Sequence, residues 1–317
     1  MALAIALITI FTQVPALAYA KDLDQRVPVA PGGLLQVDLD MGEDFLPERL
    51  SLDIRSHDAD EVWAVADLSG PGGSAVDFRV EHDARGVRLY GRSGGLLAWL
   101  LGGPGVSVRV WVPREFSLDV RCRSGSVRIE EVSGSVRARV NDGSIEVRGV
   151  EGSLNLKVSS GPVRVTEMLG DAAIRTSDGS IDLEWISGDV EARTGSGDIR
   201  ARHMDGDVAL RTDSGEIEAT ELRGRTEART ERGAVYARFS GSPEGVLETY
   251  GGSIHVVLPE HAGAHLDART RRGTVQFGEG IEAPGTQRSE QYVGAVNGGG
   301  PALRIFTNRG NIRVDRR

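Results

Sequence analysis

The sequence predicts an all-β chain: a two-faced parallel β-solenoid of about 18 residues per coil, preceded by an antiparallel N-terminal β cap. Three observations predict it. Glycine recurs every 18 residues in two interleaved ladders: Gly125, Gly143, Gly161, Gly179, Gly197, Gly215, Gly233 and Gly251, and Gly134, Gly152, Gly170, Gly188, Gly206 and Gly224. Between the glycines, short runs alternate apolar and polar residues with the period of two that belongs to strands. The composition agrees, with 42 glycines and only 5% aromatic residues in 317. So regular a period means stacked units, each touching only its neighbours.

In chain order, residues 1–20 read as a signal peptide. An apolar run ends in Ala18-Tyr19-Ala20, which fits the small-residue cleavage rule, with Pro15 just before it. The run is too short and interrupted to span a bilayer, so no membrane span is expected in the mature chain. The predicted location is therefore outside the cytoplasm: periplasm, cell surface or secreted.

Residues 27–117 alternate without the 18-residue period, as in Leu35-Gln-Val-Asp-Leu39, Ala75-Val-Asp-Phe-Arg-Val80 and Val106-Ser-Val-Arg-Val110. They read as longer antiparallel strands covering the open end of the stack, which would otherwise expose strand edges.

Residues 118–317 carry the solenoid. One inward column runs Val127, Ile145, Val163, Ile181, Ile199, Ile217 and Val235, and resumes at Ile254, Val275 and Ile312. A second lies two residues further on, from Ile129 through Leu183 to Val314. Ten members imply about ten coils, a stack about 45 Å long. The other strand carries Thr176, Thr194, Thr212, Thr230, Thr270 and Thr307, with Val140 and Val158 at the same place earlier. Exchange with valine means the position faces inward, where threonine hydroxyls can bond along the column. The turn glycines, as in Asp178-Gly179, should occupy positive φ. Glu279 to Pro301 reads as an excursion loop.

Cys122 is the only cysteine, so no intramolecular disulfide forms, and its inward position makes it a buried, unreactive thiol. The net charge of −9 and the lack of a basic domain argue against general nucleic-acid binding. No nucleophile elbow, phosphate loop or zinc-protease motif occurs, and the histidines are scattered. No cofactor, metal site or catalytic residue is expected.

Surface charge divides into two kinds. Glu146, Arg164, Asp182, Arg200 and Glu218 alternate in sign, and neighbours in adjacent strands attract. Arg139, Lys157, Arg175, Arg193, Arg211 and Arg229, with Arg269 in the same phase further on, do not alternate. Like charges about 5 Å apart repel by roughly 1 kcal/mol in water. The later turns add Arg271 and Arg272. These nine cations are candidate contacts for an anionic envelope polymer, a lipid headgroup or an acidic protein. The plainer alternative is a solvated face partly offset by Glu191 and Glu227. A separate apolar candidate is Leu97, Trp99 and Leu100, between the glycine pairs at 94–95 and 102–103.

Three stretches carry a family resemblance: Pro31-Gly-Gly-Leu-Leu-Gln-Val37, Val108-Arg-Val-Trp-Val-Pro113, and the recurring Arg-Thr-x-x-Gly-x-Ile. With Gly252-Ser-Ile-His-Val-Val-Leu-Pro259, they resemble the bacterial putative-adhesin family with β-strand repeats across roughly residues 27–315. The resemblance implies an exported β-solenoid and brings no catalytic motif. The expected role is a non-catalytic cell-envelope binding or scaffold module. An envelope-stress sensing module acting through a membrane partner and a polysaccharide-active β-helix enzyme remain as alternatives.

Overall fold

Strands of three to nine residues, most of them drawn from the 18-residue repeat, stack in parallel into two facing sheets. The structure is a computed structural model and describes residues 18–20, 23–40, 50–69, 76–83, 86–93 and 105–317. Each coil gives one strand to each sheet, as Ala172–Asp178 and Ile181–Ser187 do in the middle of the stack. Register is one strand per 18 residues: Arg175 lies beside Arg193, and Ile181 beside Ile199. The two sheets hold 16 and 14 strands, and twelve in each run parallel. The described residues thus form twelve coils, two more than the columns predict.

The extra coils come from the N-terminal region. Leu34–Asp40 and Leu50–His57 pair in parallel with the first repeat, and Gly86–Ser93 and Gly105–Pro113 pair in parallel outside them. The antiparallel cap lies beyond these coils. Val76–Asp83 covers Gly86–Ser93, Glu61–Ser69 covers Gly105–Pro113, and Leu23–Pro28 covers Glu61–Ser69. Ala18–Ala20 pairs with Val76–Asp83.

Chain order and stacking order differ at both ends. The last coil, Ala302–Thr307 and Ile312–Arg316, inserts between the coil at 244–258 and the coil at 264–277. The spatial sequence of the inward column is therefore Ile254, Ile312, Val275. At the other end, the 34–57 coil sits between the 86–113 coil and the first repeat. Sequence periodicity records spacing along the chain and carries no information on such an insertion.

The segment Glu279 to Pro301, predicted as an excursion loop, is a second cap. Gln291–Val296 pairs antiparallel with the edge strand Ala264–Thr270, and Thr286–Arg288 pairs with Gln291–Val296. Tyr292 is buried, packs edge-on against Phe277 at 4.8 Å and donates its hydroxyl to the Ala295 carbonyl at 2.7 Å. Antiparallel strands thus cover the outermost strand of the first sheet at each end, the device that blunts edge-to-edge association.

The core is a ribbon of β-branched and aliphatic side chains between the sheets, with the predicted inner columns buried. One departure from strict alternation recurs. Glu131, Gly149, Glu167, Trp185, His203 and Glu221 all have φ between 55° and 65°. A left-handed residue reverses the in–out parity, so Leu183 and Ile186 are both buried while Trp185 faces out. Val132, Val150, Met168, Ile186, Met204 and Leu222 form this third inward column.

The first glycine ladder packs backbone on backbone. Gly179 has φ of 151°, and a Cβ there would run into the Gly161 carbonyl. At the C-terminal end the ladder shifts by one: Gly252, not Gly251, stacks on Gly233, and Gly310 and then Gly273 follow it.

Candidate functional site

The first sheet's outer face is built by residues that alternate with the buried column. In Ala172–Asp178 the residues facing in are Ala172, Ile174 and Thr176, which leaves Arg175 exposed. Strict register carries that position from coil to coil. Arg139 lies beside Lys157, Lys157 beside Arg175, Arg175 beside Arg193, Arg193 beside Arg211, and Arg211 beside Arg229. The row also extends one coil earlier, to Arg121 beside Arg139. Sequence reasoning missed Arg121, although its 18-residue spacing from Arg139 was the available signal.

Seven cations therefore stand in one line. Six steps at about 4.8 Å give the line a length of about 29 Å. It is closed by acids, with Asp38 beside Arg121 and Glu248 beside Arg229. Within it, Glu191 pairs with Arg175 at 3.1 Å and with Arg193 at 2.9 Å. Arg229 is held by Glu227 at 3.5 Å and Glu248 at 3.4 Å. Asp119 reaches Arg121 at 3.7 Å. Among the described residues, Arg139, Lys157 and Arg211 make no ion pair, and all three are exposed.

Arg269 does not belong to this line. The inserted coil puts Phe306 between Arg269 and Glu248, and Asp267 holds Arg269 at 2.8 Å. Arg271 and Arg272 lie at the turn of the outermost coil, next to the turn bearing Arg309. They form a separate basic corner. Leu97, Trp99 and Leu100 lie outside the described residues.

The second sheet's outer column behaves as its alternating signs predict. Arg128 meets Glu146 at 2.8 Å, Arg164 meets Asp182 at 3.7 Å, and Arg200 reaches Asp198 at 3.0 Å and Glu218 at 3.9 Å. The hydrogen bond from Arg128 to Glu146 raises the guanidinium pKa further. The two sheets thus carry opposite charge schemes on one scaffold.

Beside the cationic row, the strand starts form a shallow groove of about 560 Å³ floored by Asn155, Ala173 and Ala209. Its rim is a stack of aspartates: Asp171 accepts from the Asp189 backbone N–H at 2.9 Å, and Asp189 accepts from that of Asp207 at 3.0 Å. These carboxylates tie neighbouring turns together. Among the described residues, no group of three or more His, Cys, Asp or Glu side chains is arranged to hold a metal ion.

Residues 107–219, which hold most of the row, match the family described as Toastrack DUF4097. The resemblance to a bacterial family of β-strand repeats is borne out by this match and by the coils themselves. Two solved structures are similar over most of the chain. One, described as a putative cell adhesion protein from Clostridium sporogenes, is 12% identical, covers 93% of this chain and 100% of its own, and has a TM-score of 0.23. The other, described as a putative adhesin from Bacteroides fragilis, is 10% identical, covers 95% of this chain and 97% of its own, and has a TM-score of 0.32. Comparison with curated proteins returns no match. The Toastrack match spans the cationic row from Arg121 to Arg211 and stops short of Arg229.

Proposed function

We propose that the protein is a non-catalytic binding module of the cell envelope, which holds a linear anionic polymer along the row from Arg121 to Arg229. The observation that carries this reading is the contrast between the two outer columns. In the second sheet's column Arg128, Arg164 and Arg200 are each followed by an acid in the next coil, whereas the first sheet's column stacks seven cations in succession. Such a row costs stability through self-repulsion and returns it when an anion lies along it. The chain as a whole is acidic, with a net charge of −9, so the row stands against the overall balance.

The shape of the row favours a polymer. It advances by one residue per coil in unbroken register, and small side chains such as Ala173 and Ala209 lie beside it. Among the described residues, the exposed large apolar side chains Leu169, Trp185, Tyr250 and Val293 all lie outside the strands that carry it. The export reading rests on the apolar segment ending at Ala20.

The test is binding of the full chain to long-chain polyphosphate, to vesicles rich in phosphatidylglycerol and to polyglutamate. Strong binding to polyphosphate, lost when Arg175, Arg193 and Arg211 are all changed to Glu, supports the proposal. Binding to vesicles alone, or polyphosphate binding indifferent to the triple change, overturns it.

A further inference from the structure

The left-handed column marks a second surface, on the second sheet and away from the cationic row. Its backbone conformation is explained by packing, since it turns the Ile186 column inward. Its side chains are not. Glycine does the same backbone work at position 149, without the clash that a side chain meets in this conformation. Tryptophan and histidine nevertheless occupy two adjacent coils.

Trp185 is 56% exposed, and its ring stacks on His203 with centroids 3.8 Å apart and planes 8° from parallel. The charged neighbours on either side are drawn away from the pair. Glu167, one coil before Trp185, is held by Arg148 through contacts of 3.0 and 3.1 Å. Glu221, one coil after His203, is held by Arg238 at 2.8 Å and Arg317 at 3.3 Å. Trp185 therefore carries an open ring surface, with Leu169, itself 59% exposed, in the preceding coil. A recess of about 240 Å³ next to the rings is lined by Asp205, Glu221, Arg223 and Ser240.

We infer that this corner binds a pyranose ring of a neutral glycan with equatorial hydroxyls. A ring of that configuration presents only axial hydrogens above and below its plane, so its flat C–H face matches an exposed indole. Its hydroxyls both donate and accept. The recess supplies both kinds of partner, with an acceptor carboxylate on Asp205, donor nitrogens on Arg223, and the acceptor lone pairs of the Ser240 hydroxyl, whose proton goes to the Leu222 carbonyl. Mixed charge gives no net pull on a polyanion, which separates this site from the arginine row. An apolar peptide would leave these rim groups unpaired as it covered them, at a cost that hydroxyl ligands avoid.

The experiment titrates the full chain with cellohexaose and with the hexamer of N-acetylglucosamine. Binding is followed by calorimetry and by tryptophan fluorescence. The expected result is binding of at least one sugar, weakened at least about tenfold by Trp185→Ala and largely kept by Trp185→Phe. The triple change at Arg175, Arg193 and Arg211 should leave sugar binding unaltered. On the unmutated chain, saturating sugar should protect Trp185 from N-bromosuccinimide oxidation, as mapped by mass spectrometry. That readout does not depend on a variant folding. No binding of either sugar, unchanged affinity in Trp185→Ala, or equal oxidation of Trp185 with and without sugar overturns the inference.

Discussion

The Thr194 hydroxyl donates to the Gly179 carbonyl at 2.9 Å, joining the threonine column to the glycine ladder. The backbone network skips this carbonyl: Gly161 gives its N–H to the Asp178 carbonyl, and Val163 gives its N–H to that of Ser180. The same bond recurs from Thr212 to Gly197 at 3.0 Å and from Thr230 to Gly215 at 2.9 Å. It survives the inserted coil, where Thr307 reaches Gly252 at 2.7 Å and Thr270 reaches Gly310 at 2.9 Å. The hydroxyls thus bond to the turns rather than to one another along the column.

Thr176 breaks this pattern, because its buried hydroxyl has no partner. A matched pair of changes follows. Thr212→Val removes a bond and should cost about 1 kcal/mol, whereas Thr176→Val should be neutral or stabilising. Urea denaturation of the two variants measures the difference, and equal losses would contradict the assignment.

Gly179→Ala places a Cβ against the Gly161 carbonyl in a backbone conformation that side chains rarely adopt. The neighbour is backbone and cannot rotate aside. A loss of more than about 3 kcal/mol is expected, against less than about 0.5 for Ser177→Ala on the exposed face of the same strand. Thermal unfolding reads both.

Self-repulsion within the cationic row gives a salt-dependent prediction. Lys157 has no acid partner among the described residues and lies between Arg139 and Arg175. Lys157→Gln should raise stability by about 0.5 kcal/mol at low salt, and the gain should vanish near 1 M salt, where screening is nearly complete. A gain that persists in high salt would point to packing in place of charge.

Cys122 is buried, and burial pushes its thiol up to about 12. The group is neutral in the folded chain at any ordinary pH. Because the folded value is raised, its contribution to stability is intact below the ordinary thiol range, near 8.5. It is lost as pH rises from there through about 12. Alkylation at pH 8 should proceed only as fast as global unfolding, and Cys122→Ala should flatten the alkaline limb of the stability profile.

Much of the fold is legible from spacing. The period of 18 sets the coil, the Val127 and Ile129 columns set the inner face, and the lack of sign alternation from Arg139 to Arg229 marks the unusual surface. Two features were hidden for physical reasons. The insertion of the 302–316 coil beneath the 264–277 coil leaves no trace in local pattern, because parallel coils accept each other in either order. Phe306 therefore displaced Arg269 from the row against the expectation from its phase. The left-handed column was legible in principle: apolar residues at 132, 150, 168, 186, 204 and 222 sit three positions after an inward residue, which simple alternation forbids. That parity break is what turns Trp185 outward.

The central claim is that the row from Arg121 to Arg229 acts as one linear site about 29 Å long. Its most direct test is the affinity of the full chain for polyphosphates of graded length at fixed salt. Affinity should climb steeply until the polymer spans about 29 Å and then level off, with the climb absent when Arg175, Arg193 and Arg211 are all Glu. An affinity that is independent of polymer length, or that climbs equally in the triple variant, would contradict it.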